Sequence, residues 1–150
     1  MQEWMADVAY KFRIAFIDGD RWKLYLQGLG VTIQIAVFAA ILGVVIGTVI
    51  ALMKMSTTRT GKRTIFSYLA QAYIDIIRGT PSVLQLLIMW FIVMSSSKNG
   101  VLVAVLTFGI NSGAYVSEIM RAGIQAVDHG QMEAGRSLGL SKAQTMRYII

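Results

Sequence analysis

The chain has 150 residues, a net charge of +6 and no cysteine. Mean hydropathy is +0.59, and 15% of residues are charged against about 25% in a soluble domain. This excludes disulfides, thiolate metal sites and thiol nucleophiles, and points to a membrane protein of one domain or part of one. The basic excess sits between apolar runs rather than along one face, as in cytoplasmic loops of membrane proteins, so nucleic-acid binding is not expected.

Residues 1–24 form the first segment. Glu3, Asp7, Lys11 and Arg13 interrupt it early, and no apolar core with a small-residue cleavage site follows a basic start, so it is not a secretory signal. Trp4, Val8, Phe12 and Ala15 recur at steps of three and four, which predicts a short amphipathic helix at a membrane interface. Asp18-Gly19-Asp20 ends it as a turn.

Gly30 to Met53 holds no charged residue over 24 positions, about 36 Å of helix, which predicts a span over 29–53. Gly43-x-x-x-Gly47 inside it allows close helix packing. The loop Lys54 to Arg63 carries four basic residues and no acid, and so reads as cytoplasmic. The N-terminal segment carries four basic residues as well, and the tie is broken by Arg121, Arg136, Lys142 and Arg147 further on. Two crossings between the basic loops then put the N-terminus outside.

Residues 64–97 are apolar but broken by Asp75, Arg78, Gly79 and Pro81. Pro81 removes one backbone donor and biases Thr80 away from helix, which predicts a second span with a break at 78–81. Gly79 adds freedom there. Ser95 to Gly100 is the outer turn. A third span over 101–120 is rich in small residues (Ala104, Gly109, Ser112, Gly113, Ala114) and should pack against protein more than lipid. It continues through Glu118 and Arg121.

Asp128 with Gln131, and Ser141 with Gln144, have capping-box spacing. Gly139 suits a left-handed helix end. These predict a helix over 129–138, a bend at 139–140 and a second helix from Lys142 that is still running at Ile150. A hinged polar pair of this kind can carry force between a membrane bundle and a soluble partner. His129, the single histidine, reads as a loop residue with no metal constellation around it.

The intramembrane charges are Asp75/Arg78 and Glu118/Arg121, both acid then base at i, i+3 and so on one helix face. Either they line a path or gate, or each acid neutralises its neighbouring Arg. Met89, Trp90, Phe91 and Tyr115 are either an apolar gate or packing and interfacial anchors. No G-x-x-x-x-G-K-[ST] and no nucleophile–base pair is present, so the chain is not expected to be an enzyme.

The run Gly130-Gln131-Met132-Glu133-Ala134-Gly135-Arg136-Ser137-Leu138-Gly139-Leu140-Ser141 strongly resembles the cytoplasmic coupling loop, the EAA loop, of permease subunits of bacterial ABC importers. Tyr73 to Leu87 (YIDIIRGTPSVLQLL) and Ser112-Gly113-Ala114-Tyr115-x-x-Glu118-x-x-Arg121 are similar to the polar amino-acid permeases, with a weaker likeness at Gly28 to Thr32. The resemblance covers 25–150, taken as the N-terminal part of the importer transmembrane domain. Gly135 departs from the more usual Ala, which should loosen that helix by up to about 1 kcal/mol.

The resemblance implies an all-α, multi-span permease of the bacterial inner membrane. It implies transport of a polar amino acid, with ATP and Mg held by two copies of a separate ATPase subunit and no cofactor in this chain. A second permease copy, identical or related, an extracytoplasmic solute-binding protein and membrane lipid are the remaining partners. The loop 128–150 would couple to the ATPase through Gln131, Glu133, Ala134, Gly135, Leu138, Gly139 and Ser141. Glu118, Arg121, Asp75, Arg78 and Tyr115 are the candidates for the path or gate. The family usually has five spans, so this chain is expected to be truncated from that fold. The alternative is a non-transporting scaffold that docks a soluble partner through 128–150.

Overall fold

The computed structural model describes residues 1–56 and 62–149, apart from the side chains of Gln2, His129 and Lys142. The middle of the basic loop, 57–61, and Ile150 lie outside the described residues. All regular structure among the described residues is helical.

Helix α1 (Gln2–Phe12) leads through a π-helical turn at Arg13–Ile17 and a tight turn at Asp18–Asp20. Gly19 (φ 70°) and Asp20 (φ 57°) take left-handed backbone there. Trp4, Val8 and Phe12 are exposed. Phe16 stacks on Phe12 and on Tyr25, with centroids 4.8 and 5.0 Å apart, which ties the segment to the next helix.

Helix α2 (Trp22–Met55) starts ahead of residue 29 because WKLYLQG holds no proline and its single Gly28 is tolerated inside a long helix. At 34 residues, about 51 Å, it is long enough to cross a bilayer with tilt. Its buried residues are Ala39, Gly43, Gly47 and Ala51, one small residue every four. They meet α5 (Gly100–Ala126), the other helix long and apolar enough to cross. A Cβ on Gly43 would lie 2.7 Å from Ser112 Cβ, and one on Gly47 2.6 Å from Val116 Cγ1. From the other side, a Cβ on Gly109 would meet Leu42 at 2.6 Å and one on Gly113 would meet Ile46 at 2.7 Å. Interlocked small residues let the two backbones approach in a medium that supplies no hydrophobic drive between helices.

The paired residue numbers rise together along both helices, so α2 and α5 are parallel. Something must return the chain between them. Helix α3 (Ile65–Gly79) and helix α4 (Ser82–Ile88), extended by a π-helical turn at Met89–Val93, do so as a pair bent by 102°. Ser67 Oγ donates to the Lys54 carbonyl (2.9 Å) at one end of the bundle. Trp90 lies over Gly100 at the other.

The bend falls where the proline predicted it. Thr80 (φ −115°, ψ 140°) and Pro81 (φ −61°, ψ 136°) are extended. Gly79 stays helical, so the freedom expected of it is not used. Gln85 repairs the break: its Nε2 donates to the Ile77 carbonyl (2.7 Å) and to the Thr80 carbonyl (3.1 Å). Asn111 Nδ2 of α5 in turn donates to Gln85 Oε1 (3.1 Å). The Ile77 carbonyl, orphaned by the missing proline N–H, and the Thr80 carbonyl at the bend thus find partners, as backbone away from water requires.

Two short helices follow, α6 (His129–Ser137) and α7 (Lys142–Tyr148). His129 therefore opens a helix rather than sitting in a loop, and α7 ends at Tyr148 rather than running through the last residues.

Candidate functional site: the helical hairpin and the nearby ion cluster

Helix α6 ends in a Schellman motif. Leu140 N–H donates to the Gly135 carbonyl (3.1 Å) and Gly139 N–H to the Arg136 carbonyl (3.0 Å). Gly139 carries this turn at φ 84°, a value costly for a residue with a Cβ. The next helix starts at once. Ser141 Oγ accepts from Gln144 N (3.3 Å) and Gln144 Oε1 accepts from Ser141 N (2.9 Å), a complete capping box. The matching box expected at Asp128 is not formed. Asp128 Oδ1 takes the Gly130 N–H instead (2.6 Å), an Asx-type turn that leaves Gln131 without a cap role.

Thr145 fastens the two helices. It is fully buried, and its Oγ1 donates to the Ser141 carbonyl (3.1 Å). Gly135 lies against it: a Cβ there would stand 2.5 Å from Thr145 Cγ2 and 2.9 Å from Ile149 Cδ1. Gly135 therefore serves closure of the hairpin rather than facing outward. Gln131, Glu133, Ala134 and Leu138 are exposed, Leu138 at 80%. Thr145 is not legible in the sequence as a site residue, since a single Thr inside a short polar helix carries no pattern. Among the described residues α6 and α7 pack on each other and make no extended contact with the bundle.

At the end of α5 that leads into this hairpin, Glu118 holds two cations. Arg121 Nη2 donates to Oε2 at 2.9 Å, and Lys54 Nζ of α2 donates to Oε1. Side-chain exposures of 16% for Lys54, 21% for Glu118 and 29% for Arg121 place the group largely out of water. The expected Glu118–Arg121 pairing is present, but the third member comes from another helix. Sequence position marks Lys54 only as one of four bases in a loop.

Asp75 and Arg78 are not brought together. Asp75 Oδ1 accepts from Gln71 Nε2 (2.7 Å) one turn earlier, and the Arg78 guanidinium lies over the Tyr115 ring, 5.1 Å from its centroid. Mutual neutralisation is thus replaced by an amide for the acid and an aromatic face for the base. The hollow between the bent arms and α5, about 250 Å³, is lined by apolar groups such as Ile77, Leu84 and Ile110, with Gln85, Thr80 and Thr107. None of the five path candidates lines it. Trp90 packs on Gly100, whereas Phe91 is 67% exposed.

Comparison with known proteins fits this layout. Residues 43–150 match the family described as "Binding-protein-dependent transport system inner membrane component". The chain is 41% identical over 128 residues to the arginine transport system permease protein ArtQ of Bacillus subtilis (strain 168), covering 83% of this chain and 56% of that protein. It is 40% identical, with the same coverage, to a putative glutamine transport system permease protein GlnP of Rickettsia prowazekii (strain Madrid E). It thus spans little more than half the length of these relatives. A crystal structure of an amino acid ABC transporter with histidines superposes with a TM-score of 0.71 at 39% identity, covering 96% of this chain and 61% of that one. The chain belongs to the family of binding-protein-dependent transport system inner membrane components.

Proposed function

We propose that this chain serves in a permease subunit of an ATP-driven importer, carries a polar amino acid across the inner membrane, and couples to a separate ATPase subunit through 128–150. The observation that carries the reading is the self-contained α6–Gly139–α7 hairpin. Its two caps and its Gly135–Thr145 contact make it a unit that transmits motion without deforming. Its exposed Gln131, Glu133 and Leu138 are free to meet a partner. The named relatives and the solved structure support an amino acid as cargo.

In this reading ATP and Mg are bound by two ATPase copies, and this chain holds no cofactor. A second permease copy encloses the path, and an extracytoplasmic binding protein delivers substrate. The N-terminus lies outside, with residues 1–24 along the membrane interface. Glu118, with Lys54 and Arg121, ties α2 to the helix that feeds the hairpin, so movement of the loop reaches both spans.

The test is Gly139→Val in the full-length permease with its partner subunits. A β-branched residue at φ 84° carries strain of about 1–3 kcal/mol. Uptake into membrane vesicles should fall while the permease stays inserted. Normal uptake driven by ATP would refute the coupling role of the bend.

A further inference from the structure

We propose that the end of the bundle beside the hairpin holds a binding site for a phosphate group, in the first instance the headgroup phosphate of an anionic phospholipid. A polar cavity of about 280 Å³ lies between α2, α3 and α5, lined by Lys54, Met55, Arg63, Ser67, Arg121 and Gln125. It brings three cations together, and two of them, Lys54 and Arg121, already engage the nearby Glu118 carboxylate. Arg63 makes no ion pair with the described residues, and Arg121 Nε is buried without an acceptor.

Arg121 Nη1 also donates to Gln125 Oε1 (2.5 Å) and Ser67 Oγ to the Lys54 carbonyl, so among the described residues the lining offers more cationic donors than anionic acceptors. A Lys ammonium has three N–H groups and a guanidinium five, so several remain unspent after Glu118 and Gln125 are satisfied. The complement is an anion with several oxygens that accepts from guanidinium forks, which is the chemistry of a phosphate. A divalent metal is the wrong sign for this site. The residues next to Arg63 favour the lipid source: the first turn of α3 exposes Ile65 (67%) and Phe66 (56%), an apolar flank on which acyl chains can lie. Basic pockets between membrane helices are a recurrent setting for anionic headgroups.

The experiment uses the full-length permease complex in mild detergent with equal amounts of phosphatidylglycerol and phosphatidylcholine, and counts retained lipid by native mass spectrometry. Phosphatidylglycerol should be retained in preference. Arg63→Gln, which leaves the Glu118 cluster intact, should weaken that retention about fivefold. Arg13→Gln, at an exposed pair with Asp18 before α2, should leave it unchanged. A parallel arm with inorganic phosphate alone decides the source. Arg63-dependent binding of phosphate with no lipid preference keeps the site and assigns it to free phosphate. Equal retention of both lipids with no Arg63 effect in either arm overturns the proposal, as does an equal loss in Arg13→Gln. Lipid that is always expelled when the ATPase subunit binds would place a protein carboxylate there, and overturns it as well.

Discussion

Gly135 of α6 sits so close to Thr145 of α7 that a Cβ would come within 2.5 Å of the Thr145 methyl. The glycine therefore does more than lower helix propensity. It is the seat on which the second helix rests: both the Thr145 methyl and its hydroxyl (2.9 Å) stand against that position, and Thr145 is fully buried.

Gly135→Ala should consequently destabilise the hairpin, although alanine is the better helix former. Overpacking of this kind costs about 1–3 kcal/mol, against up to about 1 kcal/mol gained in propensity. The double variant Gly135→Ala/Thr145→Ala should recover much of the loss. Uptake and thermal unfolding of the two variants side by side check this. A single variant as active and stable as the parent would show that the contact relaxes freely.

Removing Glu118 should strand two cations. Glu118→Gln leaves Lys54 and Arg121 without their carboxylate, at a cost of about 1.5–3 kcal/mol in charged hydrogen bonds. Lys54→Met alone should cost less, because Arg121 still holds Glu118. A double-mutant cycle between Lys54 and Glu118, read by thermal unfolding in detergent, should give a coupling energy of about 0.5–3 kcal/mol. Strict additivity would mean that the α2–α5 tie carries no energy.

The parallel register of α2 and α5 can be checked by chemistry. Thr48 Oγ1 lies 3.3 Å from Met120 Sδ. The chain has no cysteine of its own, so Thr48→Cys/Met120→Cys gives one clean pair. It should form a disulfide under mild oxidation in membranes. A control pairing Thr48→Cys with Leu102→Cys, near the opposite end of α5, should not.

Gln85→Ala should loosen the bent pair. It takes a donor from the half-buried Ile77 and Thr80 carbonyls and leaves Asn111 without its acceptor, an effect of about 1 kcal/mol per lost bond. The readout is proteolysis at the 78–82 break in membranes, which should rise. Unchanged protection would mean that other groups or water take over the carbonyls.

Much of this architecture is legible from residue types. An uncharged run fixes α2, Pro81 fixes the break, and Gly139 with Ser141-x-x-Gln144 fixes the hairpin, because each rests on a local backbone rule. Gly43-x-x-x-Gly47 announces close packing, but its partner, Gly109-x-x-x-Gly113, lies far off in sequence and shows there only as small-residue content. Lys54, Thr145 and the Gln85–Asn111 bond are not legible for the same reason: they act across helices. The Asp75–Arg78 pairing fails because spacing shows which residues share a face, not which neighbour each side chain prefers.

Docking of the hairpin on an ATPase is read out by cross-linking from the exposed Leu138. A photo-reactive amino acid replaces Leu138 in the full-length permease, with the same residue at the exposed Leu29 as control, and native membranes are irradiated. Position 138 should capture a P-loop ATPase subunit and position 29 should not. Capture of only lipid or permease at position 138, in membranes that transport normally, would contradict it.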